Sequence, residues 1–454
     1  MATCHPYRPR SRPRSGHLFT GNPPVSSETP KGLRNAFASF SVPAFRSLIF
    51  AQVISGVGGQ LQSIANAWQI YALTGSALQL GLTGVARAIP TILFSLLGGV
   101  VADRIDRRTI IILTQVSNGV FAVTLGVLSL TGQVQVWHIY LAVFLNSSLG
   151  SAAGPARRAA LASVVPHEYL MNAMSLNFSA NRISGIAGPS MAGILIALVG
   201  TPITYALNGA AHVISAVTLL AVHLPALPAR AAGSPVKDLM EGVRFVRVRS
   251  IILVILLMDF SAMIFGSYQV LLPIIADQFD TGAVGFGLLS SATSVGSLVG
   301  SFVILSLGNY RYKGYLITGA ILAYSICLIG LGVAPWFPLI LLVSAGLGLC
   351  DSLQAITRSS IIQILTPDEF RGRVSSFQLM LQSSGPGFGL GLMGAVAAGV
   401  GAAPALIGGA IICAAINVAA LINRKDLRSP DLAAPDEVLA KAEAQFAPSI
   451  AATR

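Results

Sequence analysis

Twelve long apolar runs, separated by short polar connections, are the feature that most limits what this chain can fold into. Each run is close to the roughly 20 residues that a helix needs to cross a bilayer. Hydrocarbon offers the backbone no hydrogen-bond partners, and the runs are too long and continuous for barrel strands, so each must be helical. The sequence therefore predicts an all-α membrane protein whose twelve transmembrane helices lie near 45–72, 78–100, 109–130, 137–160, 170–198, 202–223, 251–276, 283–307, 314–333, 338–362, 372–398 and 402–422.

The composition supports a membrane protein and argues against a nucleic-acid-binding one. Only 10% of the 454 residues are charged and 54% are hydrophobic, whereas a soluble domain carries about 25% charged residues. The net charge of +12 comes from Lys and Arg in the tails and short connections, where positive charge records membrane topology. The four cysteines show no metal-ligand spacing. We therefore expect the lipid bilayer as a partner, no nucleic acid, no metal and no cofactor.

The basic residues fix the expected orientation. The connections near 73–77, 131–136, 199–201, 277–282, 334–337 and 399–401 contain no Lys or Arg. The alternate connections contain Arg104, Arg107, Arg108, Arg230, Lys237, Arg244, Arg247, Arg249, Arg311, Lys313, Arg371 and Arg373. Because positive charge stays on the cytoplasmic side, the sequence predicts a multi-pass protein of the inner (plasma) membrane with both termini in the cytoplasm.

The longest internal connection divides the spans into two groups of six. We expect a disordered basic cytoplasmic tail at 1–43, a six-helix half at 44–223, a cytoplasmic linker at 224–250, a second half at 251–422 and a cytoplasmic tail at 423–454. The second part of the linker alternates apolar and basic residues, which predicts an amphipathic helix on the membrane surface.

The two halves repeat each other in sequence. The segment 157–168 resembles 358–369, and one constant shift superposes Arg157 on Arg358, Pro166 on Pro367, Glu168 on Glu369 and Gly193 on Gly394. Two parallel six-helix halves are typical of transporters that rock about a substrate site between them.

The connection after the second run carries a family signature. Gly99, Asp103 and Arg104, followed by Arg107 and Arg108, resemble the loop motif of the major facilitator superfamily. The resemblance extends over about 45–422 and implies the two-half fold of that superfamily. It also implies that the loop locks a gate at the inner face, where an acid meets a helix N-terminus. Asp106 stands where the family pattern has glycine, so the turn itself differs. Arg157 and Arg358, near the inner ends of their helices, are expected to belong to the same gate.

A second motif lies in the fifth run. Gly185, Gly188, Pro189 and Gly193 are similar to the glycine–proline motif of the superfamily's antiporters, although Ser184 and Ala192 stand at usual glycine positions. The resemblance implies export. The alternative is a tight helix contact without a coupling role, since small residues let helices approach closely.

A finer resemblance is to the bacterial enterobactin-exporter and macrolide-efflux branch. It rests on the segments 43–46, 224–228, 241–245, 272–277 and 285–287. It implies export of siderophores or amphipathic drugs at the expense of the proton gradient.

A polar stripe follows the first run. Gln52, Ser55, Gly59, Gln62, Asn66 and Gln69 are spaced by three and four residues and therefore share one helix face. Amides facing lipid would be costly, so this face meets a wet cavity or another helix. We predict that the substrate cavity is lined by Gln52, Ser55, Gln62, Asn66, Gln69, Arg87, Arg182 and Gln269.

The ionisable residues inside the spans are few. Asp259 is the first candidate for proton coupling and Asp351 the second, because a carboxyl in a cavity of low dielectric can load and release a proton. The alternative for each is a structural ion pair with an arginine. Arg87 and Arg182 hold an anionic cargo or neutralise a nearby aspartate. His212 fits a packed histidine better than a proton carrier.

Together these features predict a monomeric secondary active transporter that exports a small molecule in exchange for protons by alternating access. The cargo would be siderophore-like or an amphipathic drug. An uptake permease or a lipid flippase on the same scaffold is the alternative. No catalytic set of residues suggests a membrane enzyme.

Overall fold

The computed structural model describes residues 38–104, 106–222, 235–308 and 310–429, with the side chains of 95–104, 235–239, 248 and 369 outside that description. All regular elements of this part are helical. The α-helices are α1 (Pro43–Thr74), α2 (Ala77–Arg104), α3 (Arg107–Leu130), α4 (Val136–Val164), α5 (Leu170–Leu220), α6 (Pro235–Val248), α7 (Ser250–Phe265), α8 (Leu272–Gln278), α9 (Gly282–Leu307), α10 (Lys313–Val333), α11 (Phe337–Leu365), α12 (Asp368–Val400), α13 (Ala402–Asn423) and α14 (Lys425–Arg428). Short 3₁₀ turns occupy Ala38–Ser41, His167–Tyr169 and Tyr268–Leu271.

Within the described residues, nine segments are long and apolar enough to cross a membrane. One of them, His167–Leu220, is 54 residues long and contains two of the predicted spans. Gly200 separates its two arms, 170–199 and 201–220, with a φ of 79° that a residue with a side chain rarely adopts. The helices α4 and α12 have 29 and 33 residues but are not among the nine. The all-α membrane fold is thus confirmed, while the count of twelve spans stays a prediction.

The predicted span at 251–276 is broken rather than continuous. The helix α7 ends at Phe265, and α8 begins at Leu272 with Pro273 at a position where its missing N–H costs nothing. Between them, the carbonyl of Gly266 accepts a hydrogen bond of 2.7 Å from the hydroxyl of Tyr324. A side chain at position 266 would collide with that ring. The break opens the wall of a cavity described below.

The helices pack as two groups with two extensive contacts between them. In the first group α1 and α3 lie against α5, and α2 lies against α4; in the second, α11 lies against α9 and α10, and α13 against α10. The groups meet where α2 packs on α12 and where the first arm of α5 packs on α9. These two contacts are equivalent, because the repeat superposes Gly193 of α5 on Gly394 of α12.

Both contacts between the groups are tight near the arginine-free connections. A Cβ on Gly84 would lie 2.5 Å from the carbonyl oxygen of Gly387, and a Cβ on Gly193 would lie 2.5 Å from that of Ala283. Backbones this close leave no room for a side chain. The hydroxyl of Tyr71 on α1 also donates a 2.7 Å hydrogen bond to Asp277 at the end of α8. The two groups are therefore closed against each other at the arginine-free end.

At the arginine-rich end, α6 lies where the sequence predicts an amphipathic helix. Its Phe245 and Val246 are buried, so its apolar face packs on protein as well as pointing away from water. Phe245 stacks on Phe370 with ring centroids 4.9 Å apart, and Glu241 forms a 2.9 Å ion pair with Arg373 of α12. These contacts fix the linker helix on the second group.

Candidate functional site

A cavity of about 500 Å³ lies inside the second group. It is formed by α7, α9, α10, α11 and α12 together with the break after α7. Its polar and aromatic lining consists of Asp259, Ser267, Tyr268, Gln269, Thr293, Tyr324, Asp351, Gln354, Arg358, Ser359 and Gln382. Of the predicted cavity residues, Gln269 is therefore placed here, beside both aspartates proposed for coupling.

Four of these residues form a continuous polar chain. Asp351, Gln354 and Arg358 are spaced by three and four residues and share one face of α11. The Nε2 of Gln354 donates to the Oδ1 of Asp351 at 3.2 Å, and the Nη1 of Arg358 donates to the Oε1 of Gln354 at 3.1 Å. The Nη1 of Arg358 is also paired with the Oδ1 of Asp259 on α7. The chain connects the two carboxylates through one amide and one guanidinium.

The two carboxylates differ in their access to water. The side chains of Asp259 and Arg358 are only 4% and 3% exposed, whereas Asp351 is exposed on the cavity surface. Asp259 thus occupies the buried ion pair that was its alternative interpretation. Removing one partner of such a pair leaves an uncompensated buried charge. Asp351 interacts electrostatically with Arg182 of the first group and is open to cavity water.

A smaller cavity of about 340 Å³ lies inside the first group. It is bounded by α1, α3, α4 and both arms of α5, and its polar lining is Gln52, Ser55, Gln115, Arg157, Arg158, Asn177 and Asn181. The Oε1 of Gln52 accepts a 3.2 Å hydrogen bond from Arg157, and its Nε2 donates to the Oδ1 of Asn181 at 3.1 Å. Gln52 and Ser55 therefore line a cavity as the stripe predicts.

The remaining amides of the stripe line neither of these cavities. Gln62 accepts a 2.7 Å hydrogen bond from Asn208, and Asn66 accepts one of 3.0 Å from Tyr205. Gln69 accepts a hydrogen bond from Thr201. The prediction of cavity lining is corrected for these three residues, because the second arm of α5 offers a matching polar face. The signal was present in the sequence: Thr201, Tyr205, Asn208, His212 and Ser215 are spaced by four and three residues.

His212 belongs to the same internal network. It is 4% exposed, and its Nδ1 lies 3.1 Å from the Oε1 of Gln115. The Nε2 of Gln115 donates to the hydroxyl of Ser215 at 2.5 Å, and that hydroxyl donates to the carbonyl of Ala51 at 3.1 Å. The environment matches the interpretation of His212 as a packed histidine.

The two predicted cargo arginines lie near the contacts between the groups. The Nη1 of Arg182 donates a 2.6 Å hydrogen bond to Ser297 of α9, so this side chain crosses from one group to the other. The hydroxyl of Ser297 in turn lies 2.5 Å from that of Ser352. Arg87 has an exposed side chain on α2, inside the bilayer-spanning part of the helix. Its guanidinium makes no hydrogen bond or ion pair with the residues that the structure describes.

The predicted gating residues are only partly described. The surroundings of Gly99 and the side chains of Asp103 and Arg104 lie outside the described residues. Asp106, which stands where the family pattern has glycine, has a local structural role. Its carboxylate accepts a 3.2 Å hydrogen bond from the backbone N–H of Thr109 and caps α3.

Three basic residues of the predicted gate, Arg108, Arg157 and Arg358, bond within their own groups. Arg108 donates to the carbonyl of Leu220 at 2.5 Å, and Arg107 begins α3. Arg157 pairs with Gln52, and Arg358 with Asp259. Arg108, Arg157 and Arg358 thus join helices of one half rather than the two halves.

The antiporter-like motif of α5 lies in two tight helix contacts. A Cβ on Gly188 would lie 2.5 Å from the Cβ of Gln60 on α1, and Gly193 touches the backbone of α9. A Cβ on Gly287 of α9 would collide with the carbonyl oxygen of Pro189. A Cβ on Gly185 would contact only the hydroxyl of Ser294, at 3.6 Å. The motif lets α5 touch α1 and α9 at once, as the close-packing interpretation requires.

The membrane-embedded charges do not cancel. Away from the helix ends, the described spans hold Arg87, Arg157, Arg158, Arg182 and Arg358, which outnumber Asp259 and Asp351 by three. The spans of the first group carry no acid, since its acidic residues lie in the connections or beside them. The interior therefore has an excess of positive charge, concentrated in the first group.

Comparison with known proteins identifies the family of this chain. The model of the family described as transmembrane secretion effectors matches residues 34–447. The enterobactin exporter EntS of Shigella boydii serotype 18 is 28% identical over 359 residues, which cover 78% of this chain and 86% of that protein. EntS of Escherichia coli O1:K1 is 28% identical over 362 residues with the same coverage.

Two solved structures share the fold at low identity. A mutant of the nucleoside transporter NupG superposes with a TM-score of 0.67 at 15% identity, over 84% of this chain and 99% of that one. A bacterial homologue of the human lysosomal transporter Spinster, in an inward-facing and unoccupied conformation, gives a TM-score of 0.64 at 14% identity, over 88% of this chain and 97% of that one. These likenesses show that the chain shares the fold of those two transporters.

Proposed function

The chain belongs to the transmembrane secretion effector family, a branch of the major facilitator superfamily of transporters, and from this premise we propose that it exports a small molecule across the inner membrane in exchange for protons. The cargo is siderophore-like or an amphipathic drug. The curated relatives are enterobactin exporters, and the aligned region covers 86% of the length of each. The protein acts as a monomer, with both termini in the cytoplasm.

The observation that carries the proposal is the polar chain from Asp351 to Asp259 beside a cavity. A transporter that exchanges cargo for protons needs a carboxylate that water can reach. It also needs contacts through which a change in the charge of that carboxylate alters the packing of the helices that move. Asp351 lies on the cavity surface and interacts with Arg182 of the other group. A proton on Asp351 removes that attraction across the contact between the halves.

The buried pair supplies the second part of this mechanism. Protonation of Asp351 alters the hydrogen bond to Gln354, whose amide oxygen also accepts from Arg358. Arg358 holds Asp259, and therefore α7, against α11. Asp351 is thus the group that loads the proton, and Asp259 is the partner through which α7 responds.

The glycine contacts support alternating access. The halves touch closely at the arginine-free end, and the positive-inside rule places that end outside the cell. The structure then corresponds to a state closed to the outside, in which cargo enters from the cytoplasm. Rocking of the halves separates Gly84 from Gly387 and Gly193 from Ala283, which opens the route outward.

The proposal is tested with the purified protein in inside-out proteoliposomes, using enterobactin as the probe. A lumen more acidic than the medium should drive enterobactin into the vesicles, and the ionophore nigericin should abolish the accumulation. Accumulation that depends on a gradient of the opposite sign would favour an uptake permease. Movement of a fluorescent phospholipid instead of enterobactin would favour a flippase.

A further inference from the structure

The two halves contain equivalent arginines with different partners. The shift that superposes Arg157 on Arg358 also superposes Asn181 on Gln382, and all four residues line cavities. In the second half the partner is the carboxylate of Asp259, on the first helix of that half. In the first half the partner is an uncharged amide, Gln52, also on the first helix.

Among the residues of the first half that the structure describes, no carboxylate pairs with Arg157. Its guanidinium makes one side-chain hydrogen bond in the described structure, to Gln52, and it lies half-buried in the cavity wall. The spans of the first half contain no acid. Arg158, exposed at the same cavity, adds a second positive charge. A desolvated guanidinium without a counter-ion is costly, so the cavity is prepared for an anion from outside the protein.

We propose that the cavity of the first half binds the carboxylate, or an equivalent anionic oxygen group, of a small organic anion. This group binds Arg157 as the carboxylate of Asp259 binds Arg358. A guanidinium presents several N–H donors in one plane, which suits carboxylate oxygens. The free volume of about 340 Å³ accommodates an aromatic acid, and the side-chain amides of Asn177 and Asn181 border it.

Binding of the anion does not depend on the proposed export function; only its role as cargo rests on that proposal. If the anion is the cargo, the cargo is restricted to molecules with an acidic group. The phosphate of a lipid headgroup carries the same chemistry as a soluble organic acid, and the experiment separates these two sources.

The test measures the melting temperature of the purified protein in detergent, with sodium benzoate or neutral benzamide at constant ionic strength. Benzoate should raise the melting temperature of the wild type by mass action, and benzamide should not. Arg157→Gln should abolish the benzoate effect. Gln52→Asp should abolish it as well, because the new carboxylate copies Asp259 and occupies Arg157 within the protein.

The variant Gln52→Asp keeps the arginine and gains an ion pair, so loss of binding there is not a folding defect. Arg311→Gln, an exposed arginine in the connection before α10, is the matched control and should respond to benzoate as the wild type does. An equal benzoate effect in Gln52→Asp and in the wild type would overturn the inference. So would an absence of any benzoate effect in the wild type.

Lipid is distinguished by counting phospholipid retained by the purified protein. Phospholipid that is lost in Arg157→Gln and is not displaced by benzoate would assign the cavity to a lipid headgroup and overturn the inference. These assays need no gradient and no transport. Benzoate binding without enterobactin transport would refute the proposed function alone, and enterobactin transport without benzoate binding would refute this inference alone.

Discussion

The buried pair of Asp259 and Arg358 yields a prediction whose size follows from its burial. Both side chains are less than 5% exposed, so removal of either partner leaves a charge that water cannot reach. We expect Asp259→Asn and Arg358→Gln each to lower the free energy of unfolding by about 3–5 kcal/mol. The double variant removes both charges together and should lose much less than the sum of the two single losses.

The assay is reversible unfolding in mixed micelles with increasing sodium dodecyl sulfate, followed by tryptophan fluorescence. The wild type, the two single variants and the double variant form a double-mutant cycle. This cycle isolates the coupling energy between the two side chains, because residues in contact give non-additive effects. The matched control is the exposed pair of Asp368 and Arg371, whose side chains are 83% and 51% exposed. Its charges should couple by less than about 1 kcal/mol. Additive losses at the buried pair would refute the ion pair as described.

Three further predictions concern the contacts around this site. Gly193→Val places a side chain against the backbone of α9, which should prevent closure at the arginine-free end and reduce enterobactin transport to a small fraction; near-normal transport would contradict the close contact. Gln62→Leu leaves the amide of Asn208 unpaired and should cost about 1–3 kcal/mol of stability without changing which cargo is transported; a changed cargo range would place Gln62 in the substrate path. Tyr71→Phe removes the hydrogen bond to Asp277, and an external thiol reagent should then label a cysteine at the arginine-free end faster; unchanged labelling would show that this bond does not hold the halves closed.

Much of the fold could be predicted from the sequence, because burial in lipid leaves helices as the only form for long apolar runs. The interruptions were harder to predict. The break after Phe265 depends on how closely Tyr324 approaches Gly266, which is a contact between distant residues. Spacing along one helix does not contain this information.

The candidate site shows the same limit. The spacing of the stripe predicts a polar face on α1, but it does not say which amides meet water and which meet another helix. Comparison with the second arm of α5 would have paired Gln62 and Asn66 with Asn208 and Tyr205. An ion pair of Asp259 with an arginine is one of two interpretations of the sequence, and only the packing of α7 on α11 identifies Arg358 as the partner.

The central claim is that proton transfer at Asp351 drives export, and proton release on cargo transport tests it most directly. Proteoliposomes containing the wild type should show a lumenal pH change when enterobactin is added, and Asp368→Asn should behave in the same way because that acid is exposed and remote. Asp351→Asn should still exchange enterobactin down its own gradient while moving no protons. Proton movement by Asp351→Asn equal to that of the wild type would contradict the account.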